Sequence, residues 1–207
     1  MSGSDFPNLA RSGSKRSLSF SFISSMLLII TPINKLKKIK VASKTKERYD
    51  SLGADTHIID LQDLPSSIYT PAAYKVKPPE FAPFQDAILQ ADGLVMIVPE
   101  YNGSYPGVLK YFIDMWKYPE SFENRCVSYI GISAGAWGAL RSVEHLQGVM
   151  GYRNSFQFNE RVFINKIYSR WADGKVKKLD EKEFDVDELL DQQAANFIQF
   201  CMSNSNR

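Results

Sequence analysis

One segment limits the fold more than any other. Leu94-Val-Met-Ile-Val98 is an apolar run without a single polar interruption. A strand with one face in water alternates polar and apolar residues, so an unbroken run needs both faces covered. That is the situation of a central strand in a parallel sheet. Parallel strands need crossover connections, and helical patterns should therefore separate the strands.

The rest of the chain meets that requirement. A first strand is expected at Met26–Ile30, then a helix from about Leu36 to Leu52, closed by Gly53. A second strand follows at Thr56–Leu61. The connection from Pro65 to Pro83 is too rich in proline for regular structure. Phe84, Ile88 and Leu89 form the inner face of a short helix ending near Ala91. After the third strand a helix should begin past Pro106, with Val108, Leu109, Phe112, Ile113 and Trp116 at helical spacing. Cys126–Ser133 reads as the fourth strand. Trp137–Met150 reads as a helix with Leu140, Val143, Leu146 and Val149 inward. A fifth strand is expected within Ser155–Ile164, and Gly174–Glu183 as a solvated loop. A last helix is expected over Val186–Met202, with Leu189, Leu190, Ala194, Phe197 and Ile198 on one face. The pattern describes an α/β doubly wound sheet of five parallel strands in the order 2-1-3-4-5. Its crevice lies beyond the carboxyl ends of strands 1, 3 and 4, where the order reverses.

Composition narrows the function. A chain of 207 residues suits one α/β domain, expected over 26–207. A net charge of +2 and the lack of a basic run argue against a nucleic-acid partner. Cys126 and Cys201 are far apart and there are two histidines, His57 and His145. That leaves no disulfide framework and no metal site, and suits a reducing cytoplasm. Both histidines are expected to be packed or exposed rather than catalytic. Residues 1–25 are Ser-rich, with Arg11, Lys15 and Arg16 ahead of the uncharged stretch Ser17–Asn34. The stretch could be a targeting core, but its dense apolar part is only strand length, so a buried strand behind a mobile extension is expected, with no membrane partner.

Two of the three crevice loops are unusual. Pro99-Glu-Tyr-Asn-Gly-Ser-Tyr-Pro-Gly107 holds two glycines and two prolines in nine residues. That composition gives a tight backbone path that side chains do not crowd, with Tyr101 and Tyr105 as aromatic surface and Asn102 as donor and acceptor. Such a loop can receive a flat heteroaromatic ring or can be a plain strand-to-helix turn. The second loop, Ser133–Gly138, has free N–H groups ahead of a helix.

Here a family resemblance enters. The run Val98–Asp114 (VPEYNGSYPGVLKYFID) and the run Gly131–Ser142 (GISAGAWGALRS) resemble the two flavin loops of the NADPH-dependent FMN reductase family, whose members reduce quinones, azo dyes and chromate. The resemblance covers about residues 26–164 and implies a flavodoxin-like fold. It implies FMN and NADPH or NADH as cofactors, bound by Pro99, Glu100, Tyr101, Asn102 and Gly103 on one side and by Ser133, Gly135, Trp137 and Gly138 on the other. Two readings stay open for Trp137, a flavin-closing residue or a core residue under the following helix. Glu100 is equally open, as an orienting residue or a turn cap.

The third loop departs from the pattern. Relatives carry Gly-Ser/Thr-x-Arg-x-x-Ser after the first strand, where the phosphate is gripped. This chain has Thr31-Pro-Ile-Asn-Lys-Leu-Lys-Lys38. Thr31 and Asn34 remain polar and Lys35 stands at the arginine position, so these three are the phosphate candidates. Pro32 replaces the glycine and Ile33 a hydroxyl, which removes donors, and lysine lacks the arginine fork. Ser12–Ser19 fits the phosphate pattern better by letter, but no buried strand precedes it.

The resemblance implies an enzyme with no catalytic side chain, its chemistry residing at the flavin N5. NAD(P)H would be the donor, and a small-molecule quinone, azo compound, flavin or metal oxyanion the acceptor. It also implies a homodimer or homotetramer, for which Tyr111, Met115, Trp116 and Tyr118 offer an aromatic face. Two alternatives remain: a flavodoxin-type electron carrier, and a relative of the family with weakened cofactor binding.

Overall fold

A computed structural model describes residues 26–31, 36–172 and 174–204. The expectations for residues 1–25, including Ser12–Ser19, and for Pro32, Ile33, Asn34 and Lys35 lie outside the described residues.

The elements in chain order are β1 (Met26–Thr31), α1 (Leu36–Ser51), β2 (Asp55–Asp60), α2 (Ala82–Gln90), β3 (Gly93–Pro99), α3 (Gly107–Asp114) and β4 (Cys126–Ile132). They continue with α4 (Leu140–Tyr152), β5 (Phe156–Gln157), β6 (Val162–Ile164), α5 (Ile167–Arg170), β7 (Trp171–Ala172), β8 (Lys175–Val176) and α6 (Val186–Asn204). The main sheet runs β2-β1-β3-β4-β5, with β6 also on β4 and all its pairs parallel. This is the flavodoxin-like order expected from sequence.

Every residue of β3 and β4 is buried, as an unbroken apolar run requires. Alternate side chains of β3 feed opposite cores. Leu94, Met96 and Val98 meet Ile88 of α2, Phe112 of α3 and Val143 of α4. Val95 and Ile97 join Val41 of α1 and Leu190 and Phe197 of α6. The two-residue period of a strand thus assigns three helices to one face and two to the other.

Four expectations are corrected. The proline-rich connection is regular in short pieces: 3-10 turns at Ser66–Tyr69, Pro71–Tyr74 and Pro79–Phe81 bury Ile68, Ala73 and Phe81. Proline serves at the first position of such a turn because no N–H is needed there. The fifth strand is split into β5 and β6. Gln193 of α6 fills the break, its Nε2 donating to the carbonyls of Tyr129 (3.0 Å) and Glu160 (2.6 Å). The segment read as a solvated loop begins with the β7–β8 hairpin, buries Val176, and carries Glu183 onto Arg170 at 2.9 Å. Finally, α4 starts at Leu140 rather than Trp137, because Gly138 and Ala139 both take left-handed φ values (62° and 68°) that end any helical path. Leu140 is exposed, while Ser142, Val143, Leu146 and Met150 face inward.

Candidate functional site

Strands β3 and β4 are paired in register to their last residues, Val98 with Gly131 and Pro99 with Ile132. The two loops that follow therefore leave the sheet side by side, and Glu100 N–H donates to the Ile132 carbonyl at 3.1 Å to extend the pairing by one residue. Both loops therefore lie at the carboxyl end of the sheet, next to each other.

The loop after β3 closes on itself. Tyr101 N–H donates to the Ser104 carbonyl at 2.7 Å, and Ser104 N–H returns the bond at 3.1 Å. Asn102 (φ 51°) and Gly103 (φ 78°) occupy the two central positions, as in a type I′ turn. Asn-Gly tolerates two successive positive φ values better than other pairs do. Pro99 is buried, Glu100 half-buried, and Tyr101 44% exposed. Tyr105 is half-buried, and burial holds its phenol above the usual tyrosine range despite the pull of Lys110. On α4, His145 Nδ1 lies 3.0 Å from Ser104 Oγ, and the tip of Arg141 stands beside Gly103. His145 thus braces the loop, and His57 is an exposed residue beside Asp55.

The loop after β4 is held from outside. Ser133 N–H donates to the Ile164 carbonyl (3.0 Å), Ile167 N–H to Ser133 O (3.0 Å), and Lys166 N–H to Gly135 O (3.0 Å). Asn165 Nδ2 donates to Ala136 O (3.0 Å). Three carbonyls of the loop therefore turn toward residues 165–167. In a trans peptide the N–H points opposite to the C=O, so the amides of Ala134, Ala136 and Trp137 are aimed the other way. Among the described residues, none of the three donates to another backbone group. The donors foreseen for this loop are thus provided by turned peptides and not by a helix terminus, since α4 begins several residues later.

Ser133 is 4% exposed, with its Oγ donating to Gly135 O at 3.0 Å, and Gly135 is exposed. Trp137 is 78% exposed, which removes the reading of it as a core residue. Gly138 is buried against Phe163, where a Cβ would come within 2.8 Å of that side chain. Sequence reasoning missed the brace at Asn165–Ile167 altogether. No pattern in residues 159–170 marks a segment that bonds to a loop thirty residues earlier.

The third contributor, β1, ends at Thr31. Its hydroxyl is buried, 1% exposed, and has no hydrogen-bond partner among the described residues. A buried orphan hydroxyl is costly unless a further group meets it. Thr31 lies at the end of the strand whose loop was expected to carry Asn34 and Lys35. Among the described residues no group of three or more His, Cys, Asp and Glu side chains could hold a metal ion. A crevice of about 850 Å³ between α1, the β7–β8 hairpin and α6 shares no residue with these loops, and paired charges such as Arg48 with Asp187 line it.

The family model of NADPH-dependent FMN reductase matches residues 37–169. The chain belongs to the NADPH-dependent FMN reductase family. The family's description implies FMN and a reduced nicotinamide nucleotide as cofactors. This FMN reductase relative is 30% identical over 144 residues to an NAD(P)H-dependent FMN reductase of Pseudomonas aeruginosa, covering 68% of this chain and 75% of that one. It is 33% identical over 117 residues to a 2-hydroxy-1,4-benzoquinone reductase of Burkholderia sp., covering 54% of this chain and 63% of that protein. Its fold is similar to that of the flavoenzyme NAD(P)H:(acceptor) oxidoreductase of Paracoccus denitrificans, with a TM-score of 0.70, 23% identity, and coverage of 88% and 99% of the two chains.

The described residues of this family member fit the implied FMN. The orphan Thr31 hydroxyl, the outward amides of 134–137 and the exposed rings of Tyr101 and Trp137 offer polar and flat surfaces at one end of the sheet.

Proposed function

We propose that this chain is an NAD(P)H-dependent FMN oxidoreductase that passes electrons to a small-molecule acceptor: a quinone, azo compound, free flavin or metal oxyanion. The observation that supports the reading is the adjacency of two loops at the carboxyl ends of β3 and β4, one closed on itself and the other with amides turned away from its brace. Pro99–Gly103 would hold the ring edge through backbone groups and Tyr101. Ser133, Gly135, Trp137 and Gly138 would form the opposite wall, and the amides of Ala134, Ala136 and Trp137 would stabilise negative charge there. Thr31, with Asn34 and Lys35, would take the phosphate. Bound FMN would supply the two-electron chemistry, accepting a hydride and delivering it as electrons to the acceptor. No side chain of the site need move a proton. The protein's task is to bind, orient and stabilise charge.

Other features support the setting. No helix among the described residues is long and apolar enough to cross a membrane. Both cysteines are buried and neither forms a disulfide, which suits a reducing compartment, and we assign the chain to the cytoplasm. For a homo-oligomer the anticipated aromatic face contracts, since Met115 and Trp116 are buried in their own core. Tyr118, with Tyr74 and Tyr152 around a groove of about 520 Å³, remains as the surface for a second copy. An electron-carrier role meets a net charge of +2, where carriers are usually strongly acidic.

Titrating the purified protein with FMN, followed by NADPH or NADH oxidation with a quinone, tests the reading. Saturable quenching of flavin fluorescence and acceptor-dependent turnover are expected. No quenching overturns it, and quenching without nucleotide oxidation favours a carrier. If FMN binds weakly and Pro32→Gly with Ile33→Thr tightens it, the altered first loop is what attenuates the site.

A further inference from the structure

We infer that Arg170 is a positioning residue for the loop after β4, acting through Asn165 on the Ala136–Trp137 peptide. The inference rests on the reading of that loop as one wall of an FMN site.

Arg170 is 2% exposed, among the most deeply buried large side chains of the protein. A buried guanidinium is costly unless its donors are met. Here Nε donates to the Lys177 carbonyl at 2.8 Å, Nη2 lies 2.9 Å from Glu183 Oε1, and Nη1 donates to Asn165 Oδ1. Glu183 is itself held by the Leu179 N–H at 2.6 Å. The fork is thus clamped from the β7–β8 hairpin and the segment after it, and only one of its arms points toward the cofactor loop.

That arm decides which way the Asn165 amide faces. A guanidinium has donors and no acceptor, so the atom of Asn165 beside it must be Oδ1. The Nδ2 group is then sent to the opposite side, where it donates to Ala136 O at 3.0 Å. Without Arg170 the amide could turn over and set an oxygen against the Ala136 carbonyl. With Arg170 it cannot. Fixing the Ala136 carbonyl fixes the Trp137 N–H on the far side of the same peptide. The neighbouring residue reinforces this: Lys166 takes a left-handed φ of 46°, which lets its N–H reach Gly135 O. The side chain of Arg170 makes hydrogen bonds to residues 165 and 177 and an ion pair with Glu183, so it acts on the loop through another residue.

Asn165→Asp separates positioning from folding. Aspartate keeps an acceptor for Arg170, and a charged one, but replaces the donor with an oxygen facing Ala136 O. FMN affinity by fluorescence titration, the midpoint potential of the bound flavin, and thermal unfolding are measured for the wild type, Asn165→Asp, Arg170→Gln and Arg170→Lys. The wild type is expected to bind FMN. Asn165→Asp should weaken FMN binding about tenfold, the equivalent of one lost hydrogen bond, and make the potential more negative, without a lower melting temperature. Arg170→Gln should show the same affinity loss with reduced stability, and Arg170→Lys should recover part of it. If Arg170→Gln does not fold, Asn165→Asp alone decides. Wild-type affinity and potential in Asn165→Asp would overturn the inference and leave the functional reading standing. A wild type that binds no FMN would overturn both.

Discussion

The two neighbouring loops at the carboxyl end of the sheet are stabilised in opposite ways. The loop after β3 carries its own restraints: a two-residue turn, two backbone bonds between Tyr101 and Ser104, and prolines at both ends. The loop after β4 has almost none. Its shape comes from Ile164 to Ile167, and behind them from Arg170 and Glu183. A ring bound between the two would lean on one wall that is rigid by itself and on another as rigid as its distant support. Changes near the first loop should therefore act locally, and changes far from the second should still reach the site.

The largest test of this contrast is Gly131→Ala. A Cβ there would stand 2.4 Å from the Gly138 carbonyl and 2.7 Å from the Phe163 ring, so the second loop must shift. A loss of about 3 kcal/mol in urea unfolding is expected, with FMN binding abolished. Gly135→Ala in the same loop meets nothing within 4 Å and should change stability by less than about 0.5 kcal/mol. Equal losses in the two variants would break the idea of an externally held loop.

Gly103→Ala is the counterpart in the self-closed turn. The new Cβ has ordinary room beside Arg141 at 3.5 Å, but φ of 78° is strained for alanine. Stability should fall by about 1 kcal/mol. Hydrogen exchange of the 134–137 amides should be unaffected, and faster exchange there would show the walls to be coupled. Thr31→Val then probes the third strand end. Removing a hydroxyl that has no partner among the described residues should leave the FMN-free protein unchanged or up to about 1 kcal/mol more stable, while FMN affinity falls. Unchanged affinity would separate β1 from the site.

The smallest effect serves as a baseline remote from both loops. At Asp50 burial acts to raise the carboxyl pKa, but the Thr56 hydroxyl and the Lys46 ammonium, 2.9 Å away, together hold it below the usual aspartate range. A folded value below the unfolded one, near 4, means the stabilisation is present above that pH and is lost as the pH falls through the folded value. Asp50→Asn should cost about 0.5 kcal/mol at neutral pH, because the pair is half exposed, and nothing in strong acid. A pH-independent difference would show that the ion pair contributes nothing.

How much of this could be read from the chain follows the same division. Leu94–Val98 identifies a doubly covered strand wherever it occurs, since burial on both faces is what an unbroken apolar run means. Pro99–Gly107 was legible as a tight turn because its backbone demands are met by residues within it. Four expectations failed, two of them where a partner far along the chain decides and two where the local backbone takes a path that composition does not show. Gln193 bridges the split fifth strand, buried turns occupy the proline-rich connection, the left-handed pair Gly138–Ala139 delays α4, and Arg170 with Glu183 organises a stretch that reads as solvated. Trp137 was undecided because one exposed face looks the same in sequence as one buried face.

From the sequence alone came the doubly wound order and the tight turn proposed as the first wall of the site. Each is set by local periodicity or by turn chemistry within a few residues, and such rules hold whatever surrounds them. The tertiary structure alone decided the proposed second wall: which carbonyls turn toward residues 165–167, which amides turn away from them, and which buried cation stands behind them. Those outcomes depend on hydrogen bonds between residues about 30 positions apart, such as Asn165 to Ala136 or Ile167 to Ser133, and only folding brings such partners within reach.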